Sequence, residues 1–501
     1  MKKAYGKRLA LLMGLLLAAS GLFACGKGRT PAAGTTEASE EVTTGGDTPP
    51  FSYRELLPVA DYEEADVNIL VMSGRSWQYI AEDTAADACA RELISRNHQV
   101  EELYHVYLNY TPTNKGWSGF HEQCRNDLYA EQAAFDITSP DYYYQCETAG
   151  YFADLATLDE IRLENPYWVD GWNRSSTVNG KIFTALSYLT LDAISSAQVL
   201  FMNNYFAEDL LIDVAALKQS VYNGSWTLDD MLTHMRLASP DDGDGEWTFE
   251  DRYGLSYNLW GGRAMLWSAG LALSEISEDG TIRQTYTASR NVDIFQKLYR
   301  FFNSNPYSYY GGGAGSVESP VGAEALFFAN RALFDTNKLG NATLISKNLD
   351  SFSLLPMPKY DKTQTDYVVS SSGCTVFGIM KTAKNLHMSA TILEALSILS
   401  YEDVRPVYYE DSLKLHYSGD PDTARMLDFI MARFQIDFAF INSTNFGDPA
   451  ARPFDLILDY NRNYVSEMKK LVDSFEGNLK AFRDAYSDAK PSEDGQQGID
   501  K

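Results

Sequence analysis

Cysteine and histidine are scarce in this chain, five and six among 501 residues. Four of the cysteines, Cys89, Cys124, Cys146 and Cys374, fall at spacings that match neither a C-x-x-C pair nor a zinc site. Sequence alone leaves one disulfide among them open, and buried free thiols are the reading for most. The histidines stand singly, which excludes a histidine-built metal cluster. H-E-x-x-H, G-x-S-x-G and G-x-x-x-x-G-K-[ST] are all missing, so zinc-protease, nucleophile-elbow and P-loop chemistry have no sequence support. Gly311 to Gly315 is no phosphate loop, because no Lys-Ser/Thr follows it, and it reads as flexible loop. Asp242-Gly243-Asp244-Gly245 fails as a calcium loop. With Gly245 in sixth place, Pro240 falls in first place, where a liganding side chain is required. A turn is expected there instead. No cofactor and no metal ion are expected. Positive charge is also short: 42 Lys and Arg face 68 Asp and Glu, a net charge of −26. Nucleic acid and anionic lipid both demand the opposite sign, so nucleic acid is excluded as a partner. Acidity says little about a small ligand.

Long apolar runs are lacking too. The one from Leu9 to Ala19 is shorter than the roughly 20 residues a membrane span needs. It follows Lys2, Lys3, Lys7 and Arg8 and precedes Leu22-Phe23-Ala24-Cys25. A basic start, a short apolar stretch and small residues before a cut describe a secretory signal over residues 1–24. The tetrapeptide ending in Cys25 resembles a bacterial lipobox, which implies a lipidated Cys25 as the first mature residue. An ordinary signal peptide with a chance cysteine is the competing reading. Residues 25–50 are rich in Gly, Thr, Ala, Ser, Glu and Pro, and cannot bury enough surface to offset their chain entropy, so they read as a disordered tether. The expected location is extracytoplasmic, on the outer face of the cell membrane.

About 450 residues remain, too many for one core. Val67 to Val71 reads as a first strand, Ala85 to Val100 as a helix, and His105 to Tyr110 and Phe135 to Thr138 as further strands. This alternation implies open α/β sheets with ligands at the strand carboxyl ends. Val292, Phe295, Leu298, Tyr299 and Phe302 mark one helix. Leu393, Leu396 and Leu399 mark another, over Ser389 to Ser400. Val465, Met468, Val472 and Phe475 mark a C-terminal one. Core packing accounts for all three stripes. Residues 488–501 read as a polar tail. Aromatic side chains are plentiful, with 32 Tyr, 25 Phe and 8 Trp. Such rings suit a ligand that is half apolar and half polar, although a large α/β protein also uses many in its core.

Several segments, in order, resemble family 1 of the extracellular solute-binding proteins, the carbohydrate-uptake, maltose-binding-protein-like type. They are Asn179 to Leu186, Val199 to Asn203, Ser225 to Met231, Asp242 to Gly245 with Arg252 to Leu255, Leu355 to Pro358, Ser370 to Ile379 and Asn385 to Leu399. Within them Thr227 is placed to cap a helix whose first turn is acidic. Ser187-Tyr188 stands where the family has proline, and the family's glycine tract is mostly serine here, which leaves the ligand open. The resemblance implies a two-lobed periplasmic-binding-protein type II α/β fold with a ligand cleft between the lobes. Residues 60–187 plus 374–440 would form the first lobe and 188–373 plus 441–487 the second, with crossings near Tyr188, Gly373 and 437–445. It further implies a lipid-anchored, monomeric receptor that closes on a small molecule, a sugar or oligosaccharide, and delivers it to the permease subunits of an ABC importer. A surface-anchored carbohydrate-active enzyme, and a sensory or adhesion module without an importer, are the alternatives. Ligand-binding positions carried over from the resemblance are Ser73, Trp77, Asp141, Tyr142, Tyr188, Tyr257, Trp260, Ser371, Ser372 and Gly373. No catalytic residue is expected. For Trp77, Tyr188, Asp141 and Trp260 a structural role competes. Trp260 leads because Gly261-Gly262 beside it would let a ligand come close.

Overall fold

The computed structural model describes residues 51–81, 87–130, 132–142, 145–238, 243–277, 280–312, 321–410 and 421–487. Cys25, the signal, the tether, most of the 311–315 glycine tract and the polar tail lie outside them, as does the start of the Asp242–Gly245 turn. Gly243 and Gly245 themselves sit at positive φ, as a turn requires.

Among the described residues eleven strands form three sheets. They are β1 (Ala65–Met72), β2 (Val106–Thr113), β3 (Ile137–Ser139), β4 (Gln198–Asn203), β5 (Tyr253–Tyr257), β6 (Ser274–Ile276), β7 (Ile282–Gln284), β8 (Ser308–Tyr310), β9 (Ala332–Lys338), β10 (Phe352–Leu355) and β11 (Gly378–Ile379). The first sheet has the order β11-β3-β1-β2. β1 pairs in parallel with β2 and β3, and β11 runs antiparallel to β3. A central parallel strand is covered on both faces, which is why Val67, Ile69, Leu70 and Val71 are all apolar and all buried. Between β1 and β2 runs the helix Ala88–Tyr104. The Asp87 side chain caps it by accepting from the Ala90 N–H, and it stops at His105 in the left-handed region.

The second sheet has the order β10-β4-β9-β5-β8. β5 is parallel to β8 and β9, while β4 is antiparallel to β9 and β10. The helix Leu228–Ala238 packs on β5 and starts at the expected cap. There the Thr227 hydroxyl donates to Asp230 at 2.6 Å, and the Asp230 N–H points back to it at 3.4 Å. β6 and β7 form a separate hairpin.

Three extended segments lie side by side where the chain passes between the two large sheets. Gln198 donates its N–H to Ser370 and Ser372 to Ser196. Val369 donates to Arg433, and Gln435 to Val369. The helix Leu386–Leu399 is buried on nearly every side, so the Leu393, Leu396 and Leu399 stripe describes only part of what it packs. It continues into a π-turn over Ser400–Val404. The helix Pro421–Met431 packs against β10, and Tyr222 donates its hydroxyl to Asp422 at 3.0 Å. The single C-terminal helix expected around 465–475 is two, Tyr464–Lys469 and Val472–Ala485. The break lets Phe475 pack on Tyr286 and Phe446 while Tyr464 stacks on Phe295. Among the described residues no helix is long and apolar enough to cross a membrane.

Candidate functional site

Open α/β sheets present ligands to the carboxyl ends of their strands. In the first sheet β1 ends at Met72 and runs into the turn Ser73–Gln78. β3 ends at Ser139 and delivers Asp141 and Tyr142, and the returning chain pairs Thr375 back onto Asp141. A polar cluster results. The Arg75 guanidinium pairs closely with Asp192 and lies 3.7 Å from Asp141. The Gln78 amide donates to the Asp192 carboxylate at 2.9 Å and accepts from the Asp192 N–H at 2.7 Å. The Tyr79 hydroxyl sits between Ser139 and Thr375, at 2.9 and 2.7 Å. Asp141 is 2 % exposed and its Oδ1 has no hydrogen-bond partner. Burial pushes its carboxyl up to about 7, against the pull of Arg75. Next to it Cys374 is a buried free thiol, held protonated by burial and by the two aspartates. Cys124 is a buried free thiol as well, and Cys89 is buried.

The structure brings most of the sequence-derived positions to this end of the sheet. Ser73 and Trp77 are at the surface, Trp77 with 49 % of its area exposed. Tyr142 is buried, edge-on to Trp172 at 5.3 Å and stacked towards Phe440 at 6.4 Å. Gly373 has φ +124°, and a Cβ there would come within 3.2 Å of the Tyr142 ring. The Ser371 hydroxyl donates to that of Ser196 at 2.8 Å and accepts from the Gly373 N–H. Trp260 stands on the other sheet, where β5 leads into the helix Leu259–Ser268 and Asn258 caps it through the Gly261 N–H. Its ring is half-buried under the Arg263 guanidinium, 5.4 Å from the centroid. The glycine pair does not leave room for a ligand. A Cβ on Gly261 would meet Thr336 at 1.8 Å, and one on Gly262 would meet the Phe454 ring at 2.0 Å, so both glycines admit the protein's own packing. Tyr257 lies in the core between Phe302 and Tyr310. Tyr188 packs on Tyr401 and under Arg405.

Arg75, Gln78, Thr190, Asp192 and Thr375 were not singled out from the sequence. Arg75 and Gln78 directly follow β1, so the strand-end rule could have found them. A second polar group closes the other sheet. Asn337 donates to Glu324 at 3.0 Å and to Asp335 at 3.2 Å, Asn341 donates to Asn337 at 2.8 Å, and Ser256 donates to Asp335 at 2.8 Å. Burial and the nearby Glu324 raise Asp335 to about 8. Its signal was Asp335-Thr336-Asn337, polar residues inside an otherwise apolar strand. This group adjoins the crossing segments: Leu339 donates to the Ala197 carbonyl, and Gly340 lies so close to Ser195 that a Cβ there would approach it to 2.9 Å. Polar groups from both sheets thus converge on one crossing. They set paired donors and acceptors beside aromatic rings, the kind of lining that can hold a polar, uncharged molecule. No group of three or more His, Cys, Asp or Glu placed to hold a metal occurs among the described residues.

No family model matches the sequence and no curated protein matches it significantly. Solved structures do match in fold. The sugar-binding protein MalE from Xanthomonas citri superposes with a TM-score of 0.57 at 10 % identity, covering 85 % of this chain and all of the other. An ABC substrate-binding protein from Listeria monocytogenes, in complex with cycloalternan, gives 0.53 at 12 % identity over 83 % of this chain and 99 % of its own. The galacto-N-biose-/lacto-N-biose I-binding protein of the ABC transporter from Bifidobacterium longum, in complex with lacto-N-biose, gives 0.53 at 14 % identity over 84 % and 99 %. The chain therefore has the two-lobed α/β fold of these binding proteins, as the sequence resemblance implied.

Proposed function

We propose that this protein is the substrate-binding component of an ABC importer and that it captures a sugar or oligosaccharide by closure of two lobes. The observation that carries the reading is the convergence of the Arg75–Asp141–Asp192 and Glu324–Asn337–Asn341 groups on the crossing segments, in a fold whose solved neighbours include saccharide-binding proteins. Ligand contacts are assigned to Ser73, Trp77, Asp141, Tyr142, Ser371, Ser372, Gly373 and Trp260, with Arg75, Asn337 and Asn341 added. Tyr257 and Tyr188 support the fold around them. The first lobe comprises 60–187 and 374–440 and the second 188–373 and 441–487, save that the helix Pro421–Met431 packs on β10 of the second. The mature protein is a monomer without catalytic activity, held on the outer face of the membrane by lipid on Cys25, and its partners are the importer's permease subunits.

A thermal-shift screen of the mature protein against neutral mono- and oligosaccharides tests the reading. A ligand that binds only the folded state at a hundredfold excess over Kd stabilises it by about 2.7 kcal/mol. A cognate sugar raises Tm accordingly. Hydrolysis of an oligosaccharide would favour the enzyme reading instead, and a panel with no shift would remove the sugar assignment.

A further inference from the structure

A groove of about 990 Å³ opens on the opposite face of the crossing segments from the Arg75–Asp192 cluster. The faces follow from the chain itself. Successive side chains of an extended strand point opposite ways. Ser371 turns to Ser196, while the adjacent Ser370 lines the groove. One wall is the helix Asp170–Ser176 and the turn after it, reaching Asn179 and Gly180. The other is the end of the helix Leu259–Ser268 and the β6–β7 hairpin. Gln435 to Phe438 lie between them. Arg75, Asp141 and Asp192 are not among its lining residues.

Two observations mark the groove as more than a packing fault. Its volume is at the top of the range of small-molecule sites, about 300–1,000 Å³. Two residues of its wall also carry unanswered polar atoms, buried just behind the groove surface. Trp267 is 6 % exposed and Ser370 3 % exposed, both line the groove, and neither the indole N–H nor the hydroxyl has a hydrogen-bond partner. Leaving such groups unpaired costs about 1–3 kcal/mol each.

The lining selects a ligand class. Trp267, Phe438 and Phe440 supply apolar faces. Arg174 is paired with Asp170 at 3.0 Å, and Glu164 and Asp437 add negative charge, so an anion is disfavoured. The Asp437 carboxylate is engaged by Ser274 and by the N–H groups of Ala439 and Phe440, which leaves little to hold a cation. A neutral molecule with C–H faces and many hydroxyls meets every demand. We propose that this groove is a second binding site, distinct from the cleft between the strand ends, for a neutral polyhydroxylated ligand, a saccharide or a small polyol.

Crystals of the mature protein soaked separately in maltotriose and in near-molar glycerol, together with maltotriose calorimetry, test this. Maltotriose is expected in the groove, with oxygens in hydrogen-bond range of Trp267 Nε1 and Ser370 Oγ. Ala272→Trp, at an exposed lining position, should abolish that site without lowering Tm. Trp267→Phe, which keeps the ring and removes the N–H, should weaken it about tenfold. Trp260→Ala should leave it intact, which separates failure of this site from failure of the main cleft. An empty groove, an isotherm unchanged by Ala272→Trp, or glycerol without maltotriose (binding at crystal concentration only) would each overturn the proposal.

Discussion

Asp141 sits where its own charge is least welcome. A carboxyl raised to about 7 by burial holds a proton in the folded state that it would release in the unfolded chain above about pH 4. The sign follows. Its contribution to stability is fully present below the unfolded pKa and is lost as pH rises through about 7. Asp141→Asn, which cannot ionise, should therefore gain on wild type as pH rises from about 5 to about 8, on the order of 1 kcal/mol per pH unit at most. Urea unfolding of both proteins across that range measures it, and a constant difference would show that Asp141 is not buried as described. Trp260 poses a different question, because its ring is partly exposed and lies under Arg263. Trp260→Ala is expected to weaken sugar binding at least tenfold, about 1.4 kcal/mol, with little change in the Tm of the free protein. A variant that unfolds, or binds as tightly as wild type, would remove Trp260 from the site.

At the scale of elements, the helix Leu259–Ser268 shows what the sequence could and could not say. Its start went unread, although Asn258 is a local cap candidate and its side chain accepts from the Gly261 N–H. The purpose of Gly261-Gly262 was not legible, since Thr336 and Phe454 reach them from 75 and 192 residues further along the chain. The prediction is direct. Gly262→Ala would drive a methyl group into the Phe454 ring and should cost about 1–3 kcal/mol, as overpacking does. Gly74→Ala, with nothing near the added carbon, should be close to neutral. Equal midpoints in denaturant for the two variants would show that the helix does not pack on Phe454. The same contrast explains the strands. Val67 to Val71 announced a buried strand through composition alone. The role of Asp192 depends on Arg75 and Gln78, more than a hundred residues away, and no local pattern encodes that meeting.

For the whole molecule, the order of weak motifs from Asn179 to Leu399 carried the fold, because a topology is an order of elements. The ligand was not legible, because it depends on which side chains meet across the crossing. Anchoring can be tested without the ligand: fatty-acid labelling should mark the wild type and not Cys25→Ala, and equal label would sink the lipid anchor. The last prediction concerns closure. A ligand held between two lobes can shift the molecule towards its closed form only by binding that form more tightly. The polar groups that would grip it come from both sheets and adjoin the same crossing, so the shift should appear as rotation about those segments. Small-angle scattering should then show a modest fall in the radius of gyration on adding a sugar that raises Tm, and no change on adding one that does not. A curve that stays the same at saturation would mean that the site is rigid, or that the free protein is already closed. Scattering from the free Arg75→Ala variant separates these, because losing the Arg75–Asp192 ion pair, which joins a residue of the first lobe to one of the second, should open a closed molecule and leave a rigid one unchanged.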